Sequence, residues 1–165
     1  MVKSLEGYFG EEYSPQKKDR KHSYTYCLLK PDGYKINKDV YKFMEEKEFT
    51  VSEIGSFEMS KEDVYLLYPQ HKNAPFLEEL VSYMTSGRVS VARVEADISK
   101  HELFYKLYEI IGGTFPRMAS NDTIRHKYGE EIYGSRVVRN VIHSPMSEDE
   151  ESRIKSLMSK YLKEE

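Results

Sequence analysis

The first strand of this chain, from which the fold can be traced, is predicted by the stretch Tyr24-Thr25-Tyr26-Cys27-Leu28-Leu29-Lys30-Pro31-Asp32-Gly33. Its first six residues are rich in β-formers, and the proline and glycine that follow predict that a strand ends in a turn. Lys30 therefore lies at the rim of the predicted sheet, where its ammonium group could meet a phosphate or a ribose hydroxyl. Taken alone, a lysine before a turn is more often a solvated charge.

The remaining elements follow from the spacing of apolar residues. We predict, in chain order, a short helix at 40–44, strands at 49–59, 89–94 and 136–142, helices at 60–68, about 75–84 and 99–111, and a closing helix that begins with a capping box at Ser147-Glu148-Asp149-Glu150. This order is close to βαββαβ once the two helices at 60–84 count as one insertion. It predicts an α/β (α+β) fold of the ferredoxin-like type, a four-stranded antiparallel sheet covered by helices.

Length and composition predict one domain with a hydrophobic core, because the chain has 165 residues of which 39% are hydrophobic. Residues 1–22 are polar and show no periodicity, so we expect a polar N-terminal extension there and a single domain over residues 23–165. The extension ends in the basic cluster 17–22. That cluster could touch an acidic partner or a nucleotide, or it could simply be solvated.

The charge balance and the single cysteine exclude several classes of protein. The formal net charge is −3, from 25 basic and 28 acidic residues, so no overall field draws nucleic acid or a membrane surface. Cys27 is the only cysteine, which excludes an intrachain disulfide and a zinc site of several thiolates. The N-terminus has no apolar segment and no run is long enough to span a bilayer. We expect a soluble, cytoplasmic protein without nucleic-acid or membrane partners.

His143 is the candidate nucleophile. It ends the segment Asn140-Val141-Ile142-His143, where the predicted fourth strand breaks. A neutral imidazole can attack phosphorus and carry a phosphoryl group covalently, although a histidine at a strand end is more often structural. Asn140 lies three residues earlier and would face the opposite side of a continuous strand, so a bend is needed to bring both side chains to one pocket.

Two further segments suit a phosphorylated ligand. Tyr68 and Phe76 flank a connection that contains prolines, where an exposed aromatic ring could stack on a nucleobase, although core packing is the stronger expectation for Phe76. The loop from Thr114 to Arg125 combines hydroxyls with a guanidinium group that offers paired donors to phosphate oxygens. In the alternative interpretation of this loop, Asp122 or Thr123 caps a short helix.

Together these segments resemble the nucleoside diphosphate kinase family. The resemblance runs from about Thr25 to the helix after His143, and its parts occur in the order of the family: Lys30-Pro31-Asp32-Gly33; Tyr68 and Phe76, followed by Leu80-Val81-Ser82-Tyr83-Met84-Thr85-Ser86-Gly87; Gly113-Thr114; Thr123-Ile124-Arg125; and Asn140-Val141-Ile142-His143. Each part alone is common in proteins. The ordered set is specific.

The resemblance implies transfer of a γ-phosphoryl group from a nucleoside triphosphate to a nucleoside diphosphate, in a ping-pong reaction through phosphohistidine at His143. It also implies roles for other residues: Lys30 and Asn140 at the sugar hydroxyls, with Lys30 also near the transferring phosphate; Tyr68 beside the nucleophile; Phe76 stacked on the base; Thr114 and Arg125 at the β-phosphate. Mg²⁺ would bridge phosphate oxygens with few or no protein ligands. A homo-oligomer is implied as well, as a dimer, tetramer or hexamer.

The chain also departs from the family pattern. Ser144-Pro145-Met146 replaces Gly-Ser-Asp after the nucleophile, and Tyr108 stands where relatives have a phosphate-binding arginine, with Lys106 or Arg88 as candidate replacements. Asn121-Asp122 replaces Pro-Gly, and extra residues occur around 129–135. The glutamate that orients the imidazole in relatives would be Glu150 or Glu151. Two hypotheses result: an active kinase with a rebuilt pocket, which we favour, or a nucleotide-binding member with slow or no turnover that acts as a sensor or assembly module.

Overall fold

The computed structural model describes residues 21–162. The predicted extension at residues 1–22 therefore lies outside the described residues except for Lys21 and His22. His22 lies at the start of the first strand, where its ring nitrogens are 2.7 Å from Asp97 Oδ1 and 2.9 Å from Glu95 Oε1. These contacts fix the point at which the described chain enters the sheet.

A four-stranded antiparallel sheet forms the centre of the described fold. Its strands are β1 (Ser23–Leu29), β2 (Thr50–Glu58), β3 (Arg88–Ala96) and β4 (Ile142–His143), in the spatial order β2-β3-β1-β4. The long pairs are β1 with β3 and β2 with β3, whereas β4 contributes only the pairs Leu28 with His143 and Leu29 with Ile142. The predicted ferredoxin-like α+β fold is confirmed.

Helices cover both faces of this sheet. They are α1 (Pro31–Lys35), α2 (Asn37–Glu46), α3 (Lys61–Leu67), α4 (Leu77–Met84), α5 (Lys100–Ile111), α6 (Ile124–Tyr128) and α7 (Glu148–Tyr161), with 3₁₀ turns at Pro69–His71 and Pro116–Met118. Cys27 and Leu29 of β1 pack with α2, α5 and α6, whereas Leu28 packs with α3, α4 and α7. Alternate residues of one strand thus enter two cores, as the pleat requires. No helix within residues 21–162 combines the length and apolar character needed to cross a bilayer.

Side-chain caps mark where several helices begin. Ser60 accepts from the Asp63 backbone N–H at 3.2 Å and Asp63 accepts from the Ser60 N–H at 2.8 Å, which is a complete capping box. At α7 the predicted box forms only in part. Ser147 Oγ accepts from the Glu150 N–H, but the Glu150 carboxylate accepts from the Met146 N–H at 2.8 Å. Ser147 is therefore the N-cap, as predicted, but the Glu150 carboxylate binds the backbone N–H one residue before it.

The prediction of a strand at residues 136–142 is wrong for most of its length. Only Ile142 and His143 pair with β1, because Val141 has a φ of +78° and extended pairing cannot continue through that conformation. The preceding loop is held by an isolated antiparallel bridge between Glu130 and Arg139. Residues 136–138 instead line a cavity.

Two smaller differences have local causes. Pro31 does not begin a simple turn; it is the first residue of α1, where the missing N–H of proline costs nothing. In β2 the register shifts between Glu53 and Gly55, and the apolar side chain of Ile54 is 42% exposed at this irregularity.

Candidate active site

All seven site residues predicted from the sequence line one cavity. It has a volume of about 360 Å³ and lies beside β4, between the α3–α4 hairpin and the loops around α6. The predicted residues in its wall are Lys30, Tyr68, Phe76, Thr114, Arg125, Asn140 and His143. The volume lies within the usual range for small-molecule sites.

The bend at Val141 brings Asn140 and His143 to the same cavity. Val141 is fully buried, its φ is +78°, and its carbonyl oxygen accepts from the Lys30 N–H at 2.8 Å. Gly33 of α1 packs directly against it, since a Cβ at position 33 would lie 2.3 Å from Val141 O. The glycine of the Lys-Pro-Asp-Gly motif is therefore required by a close backbone approach.

Lys30 is a buried cation, contrary to the solvated alternative. It is 6% exposed and its Nζ donates to Asn140 Oδ1 at 2.6 Å. Burial lowers the pKa of Lys30 to about 7, and the charge of Arg125 lowers it further, whereas Asp32 opposes this effect. Asn140 in turn donates from Nδ2 to the Thr114 carbonyl at 3.0 Å, so one amide positions both Lys30 and the loop that carries Thr114.

The imidazole of His143 is neutral at physiological pH. Burial lowers its pKa to about 3, and the positive charges of Lys30, Arg125 and Arg153 lower it further. The ring of Tyr68 contacts it edge to face, with the centroids 5.2 Å apart. The Tyr68 hydroxyl is buried and has no hydrogen-bond partner among residues 21–162. An unprotonated ring and an available donor thus lie together.

Neither candidate glutamate orients the imidazole. Glu151 is buried beside β1, accepts from Thr25 Oγ1 at 2.5 Å and pairs with Lys100 at 2.9 Å. Glu150 binds the Met146 N–H. Helix α7 acts on His143 instead through the cation Arg153. The interpretation of Glu150 or Glu151 as the orienting residue is therefore not supported by any contact.

Arg125 fixes the bend through its guanidinium group. Nε donates to Asn140 O at 3.1 Å, Nη1 to Gly112 O at 3.1 Å, and Nη2 to Ile142 O at 2.6 Å. Three of five N–H donors are thereby used, which leaves two for a ligand. Arg125 holds the residues on both sides of Val141 and still presents a positive charge to the cavity.

The alternative role for the loop before Arg125 is also confirmed. Thr123 Oγ1 accepts from the His126 N–H at 3.2 Å and caps α6, which places Arg125 in the first turn of that helix. Thr114 is exposed and lies at the cavity wall. One threonine of the loop thus has a structural role, and the other faces the cavity.

A row of aromatic rings connects His143, through Tyr68 and His71, to Phe76. The ring of His71 lies 5.7 Å from Tyr68 and 5.0 Å from Phe76, between centroids. Phe76 is partly buried and packs against one core while also lining the cavity. His71 was not predicted as a site residue, because it lies within the proline-flanked connection and belongs to no motif of its own.

The replacements predicted for the missing arginine do not reach the cavity. Arg88 donates to Ser56 Oγ and O on β2, and Lys106 is outside the cavity wall. Arg136 does line the cavity, and its Nε donates to Glu79 Oε1 at 2.8 Å. Sequence reasoning missed Arg136 because the residue was assigned to a strand.

Ser144 does not replace the serine that relatives have two positions after the nucleophile. Its hydroxyl is buried and has no hydrogen-bond partner in the described part of the chain, and its side chain is not in the cavity wall. Among the side chains with hydroxyl groups in the cavity wall, Tyr68 is the one whose ring contacts His143.

The chain is similar to known proteins over most of its length. A family model described as nucleoside diphosphate kinase matches residues 23–161. A nucleoside diphosphate kinase of Sulfurisphaera tokodaii is 32% identical over 143 residues, 86% of this chain and 89% of that protein.

Solved structures give the same result. The Aquifex aeolicus nucleoside diphosphate kinase has a TM-score of 0.64 at 26% identity, over 79% of this chain and 90% of that one. The nucleoside diphosphate kinase of Halobacterium salinarum, solved in complex with CDP, has a TM-score of 0.62 at 25% identity. The match covers 86% of this chain and 99% of that one. Because the family model covers most of the sequence and the relatives match over nearly their full length, this chain belongs to the nucleoside diphosphate kinase family.

Proposed function

We propose that this protein transfers the γ-phosphoryl group of a nucleoside triphosphate to a nucleoside diphosphate through a phosphohistidine at His143. The observation that carries the proposal is the meeting of seven predicted residues in one cavity, with a neutral imidazole at its cationic end. Residues 23–165 would form the kinase domain and residues 1–22 a polar extension. The cytoplasm is the proposed location and a homo-oligomer the proposed assembly.

The two ends of the cavity suit the two ends of a nucleotide. Lys30, Arg125 and His143 gather at one end, where positive charge would hold the phosphates. Phe76 lies beyond Tyr68 and His71 in the row of rings that starts at His143, and its ring would stack on the base. A nucleoside phosphate would therefore lie along the row of rings, with its terminal phosphate at the nucleophile.

In the first half-reaction the unprotonated nitrogen of His143 attacks the γ-phosphorus. A nitrogen–phosphorus bond forms, the bond from that phosphorus to the β-phosphate oxygen breaks, and the nucleoside diphosphate leaves. In the second half-reaction the terminal oxygen of another nucleoside diphosphate attacks the same phosphorus and releases the imidazole. Since little covalent chemistry falls to other side chains, catalysis depends on position and charge.

The surrounding residues supply position and charge. Lys30 and Arg125 would neutralise the equatorial oxygens of the transferring group, and the free hydroxyl of Tyr68 would donate to one of them. The hydrogen bond from Lys30 Nζ to Asn140 would place both side chains at the sugar hydroxyls. Thr114 and the two remaining donors of Arg125 would bind the β-phosphate.

The protein does not offer a metal site of its own in the region described. No group of three or more histidine, cysteine, aspartate or glutamate side chains within residues 21–162 could hold a metal ion. Any divalent ion, for which we propose Mg²⁺, would enter with the nucleotide and contact its phosphate oxygens. When bound, such an ion supplies charge neutralisation to those oxygens.

A labelling experiment separates the active kinase from a nucleotide-binding protein without turnover. The protein is mixed with γ-labelled ATP, assayed for an acid-labile, base-stable phosphoprotein, and then chased with GDP. We expect label on the wild type, its transfer to GDP, and no label on His143→Ala. His101→Ala, which removes an exposed histidine of α5, is the matched control and should retain label.

Two outcomes contradict the proposed mechanism. One is an unlabelled wild-type protein, and the other is equal labelling of His143→Ala. Nucleotide binding in calorimetry without label transfer would favour the sensor or assembly module. We favour activity because the nucleophile and every proposed phosphate and sugar contact occur together in the cavity.

A further inference from the structure

Arg136 lines the same cavity as Phe76 and His143. Its Nε donates to Glu79 Oε1 at 2.8 Å, and Glu79 lies one helical turn after Phe76 in α4. Leu80, the next residue, lines the same wall. The ion pair with Glu79 therefore holds the guanidinium group at the helix that begins just after Phe76, the ring on which a base would stack.

Arg136 keeps one edge of its guanidinium free. Glu79 binds Nε, and neither Nη atom has a hydrogen-bond partner within residues 21–162. The group is planar, so its two Nη atoms present parallel N–H donors at a fixed spacing. The side chain is 61% exposed, so the pair with Glu79 holds it only weakly and leaves it able to turn toward a ligand.

Parallel donors distinguish the bases. Guanine presents two acceptors, O6 and N7, on one edge, and arginine binds that pair with two hydrogen bonds. Adenine replaces O6 with an amino group, which is a donor, so one of the two bonds is lost and two donors face each other. Uracil and thymine offer only a single exocyclic acceptor at that edge, and cytosine offers an amino group.

We propose that Arg136 binds the O6/N7 edge of the base and gives this chain a preference for guanine nucleotides, an inference that rests on the proposed function. Stacking on Phe76 uses the π face that every base presents and does not discriminate between bases. Selectivity must therefore come from a group at the edge of the base. Arg136 lines the cavity with a free pair of donors, and Glu79 holds it at the helix that begins after Phe76.

The test uses the phosphorylated protein and a set of acceptor nucleotides. Phosphoenzyme is prepared with ATP, and its dephosphorylation by GDP, ADP, IDP and 7-deaza-GDP is measured in single turnovers. For the wild type we expect kcat/KM for GDP to exceed that for ADP by about tenfold, the size of one bidentate arginine–guanine contact. IDP keeps O6 and N7, so its kcat/KM should equal that of GDP. 7-deaza-GDP lacks N7, so its kcat/KM should be closer to that of ADP.

The variants isolate the paired donors from the charge. Arg136→Lys keeps the positive charge and loses the paired N–H donors of the guanidinium group. We therefore expect kcat/KM for GDP and for ADP to differ by no more than about twofold in this variant. Arg117→Lys is the matched control, because Arg117 is an exposed arginine that pairs with Glu131 outside the cavity, and its ratio should equal that of the wild type.

Equal rates with GDP and ADP in the wild type would overturn the inference while leaving the kinase intact. A preference that persists in Arg136→Lys would overturn it as well. If no nucleotide discharges a phosphoenzyme, the proposed function fails, and the inference is then tested by calorimetry. A Kd for GDP about tenfold below that for ADP would support the preference for guanine, and equal Kd values would contradict it.

Discussion

Replacing Gly33 with alanine should weaken the fold and slow turnover at the same time. A Cβ at this position would lie 2.3 Å from Val141 O and 3.0 Å from Val141 Cγ1, whereas ordinary contacts begin at 3.4 Å. Val141 or α1 must therefore move by about 1 Å. Neither can move alone, because the Lys30 N–H binds the same carbonyl oxygen at 2.8 Å.

The expected cost follows from these contacts. Overpacking of this kind costs about 1–3 kcal/mol, and weakening of the hydrogen bond from Lys30 to Val141 adds about 1 kcal/mol. We expect the free energy of unfolding to fall by about 2–4 kcal/mol, which lowers Tm by roughly 5–15 °C in a chain of this size. Asn140 and His143 flank Val141, so kcat/KM should fall by about 10- to 100-fold.

Thermal unfolding and a coupled assay of phosphoryl transfer measure both effects. Gly87→Ala is the matched control, because its new Cβ would lie 3.6 Å from Pro31 Cβ in an ordinary contact. That variant should be as stable as the wild type or gain up to about 1 kcal/mol. If Gly33→Ala kept Tm within about 2 °C and kcat/KM within about twofold, the close approach would not position the nucleophile.

Two further predictions concern pH and helix α3. The ammonium group of Lys30 is lost as the pH rises through its pKa of about 7, so kcat/KM, which reports the free enzyme, should fall about tenfold per pH unit above that value. Lys30→Arg stays charged and should flatten the profile between about pH 7 and 9, whereas a flat wild-type profile would refute the assignment. Ser60→Ala removes the acceptor for the Asp63 N–H and should lower the free energy of unfolding by about 1 kcal/mol in urea denaturation. Unchanged stability would show that Asp63 alone caps the helix.

The order of elements was predictable because it depends on local patterns. Apolar spacing and serine caps identified the positions of the long helices, and α3 begins after Ser60 within the predicted helix at 60–68. Site residues were predictable for another reason: each belongs to a short motif, and the motifs occur in the order of the family. Lys30, Phe76 and Asn140 were identified in this way before any contact between them was known.

The features that sequence reasoning missed depend on contacts between distant residues. The conformation of Val141 is supported by Gly33 and Arg125, neither of which is close to it in the chain, so the pattern around residues 136–142 still suggested a strand. Arg136 was missed for the same reason. The absence of a contact from Glu150 or Glu151 to His143 reflects how α7 packs, since Glu151 binds Thr25 across 126 positions.

The short strand β4 has a consequence for the order of folding. Lys30 and Asn140 are 110 positions apart, and β4 joins the sheet through only two residue pairs. Contacts that close such long loops form late, after the local helices and the β2–β3 pairing. During synthesis three of the four strands of the sheet can assemble before residue 140 is made, so catalytic competence arrives with the segment that carries Asn140 and His143 and is the first property lost when that segment detaches.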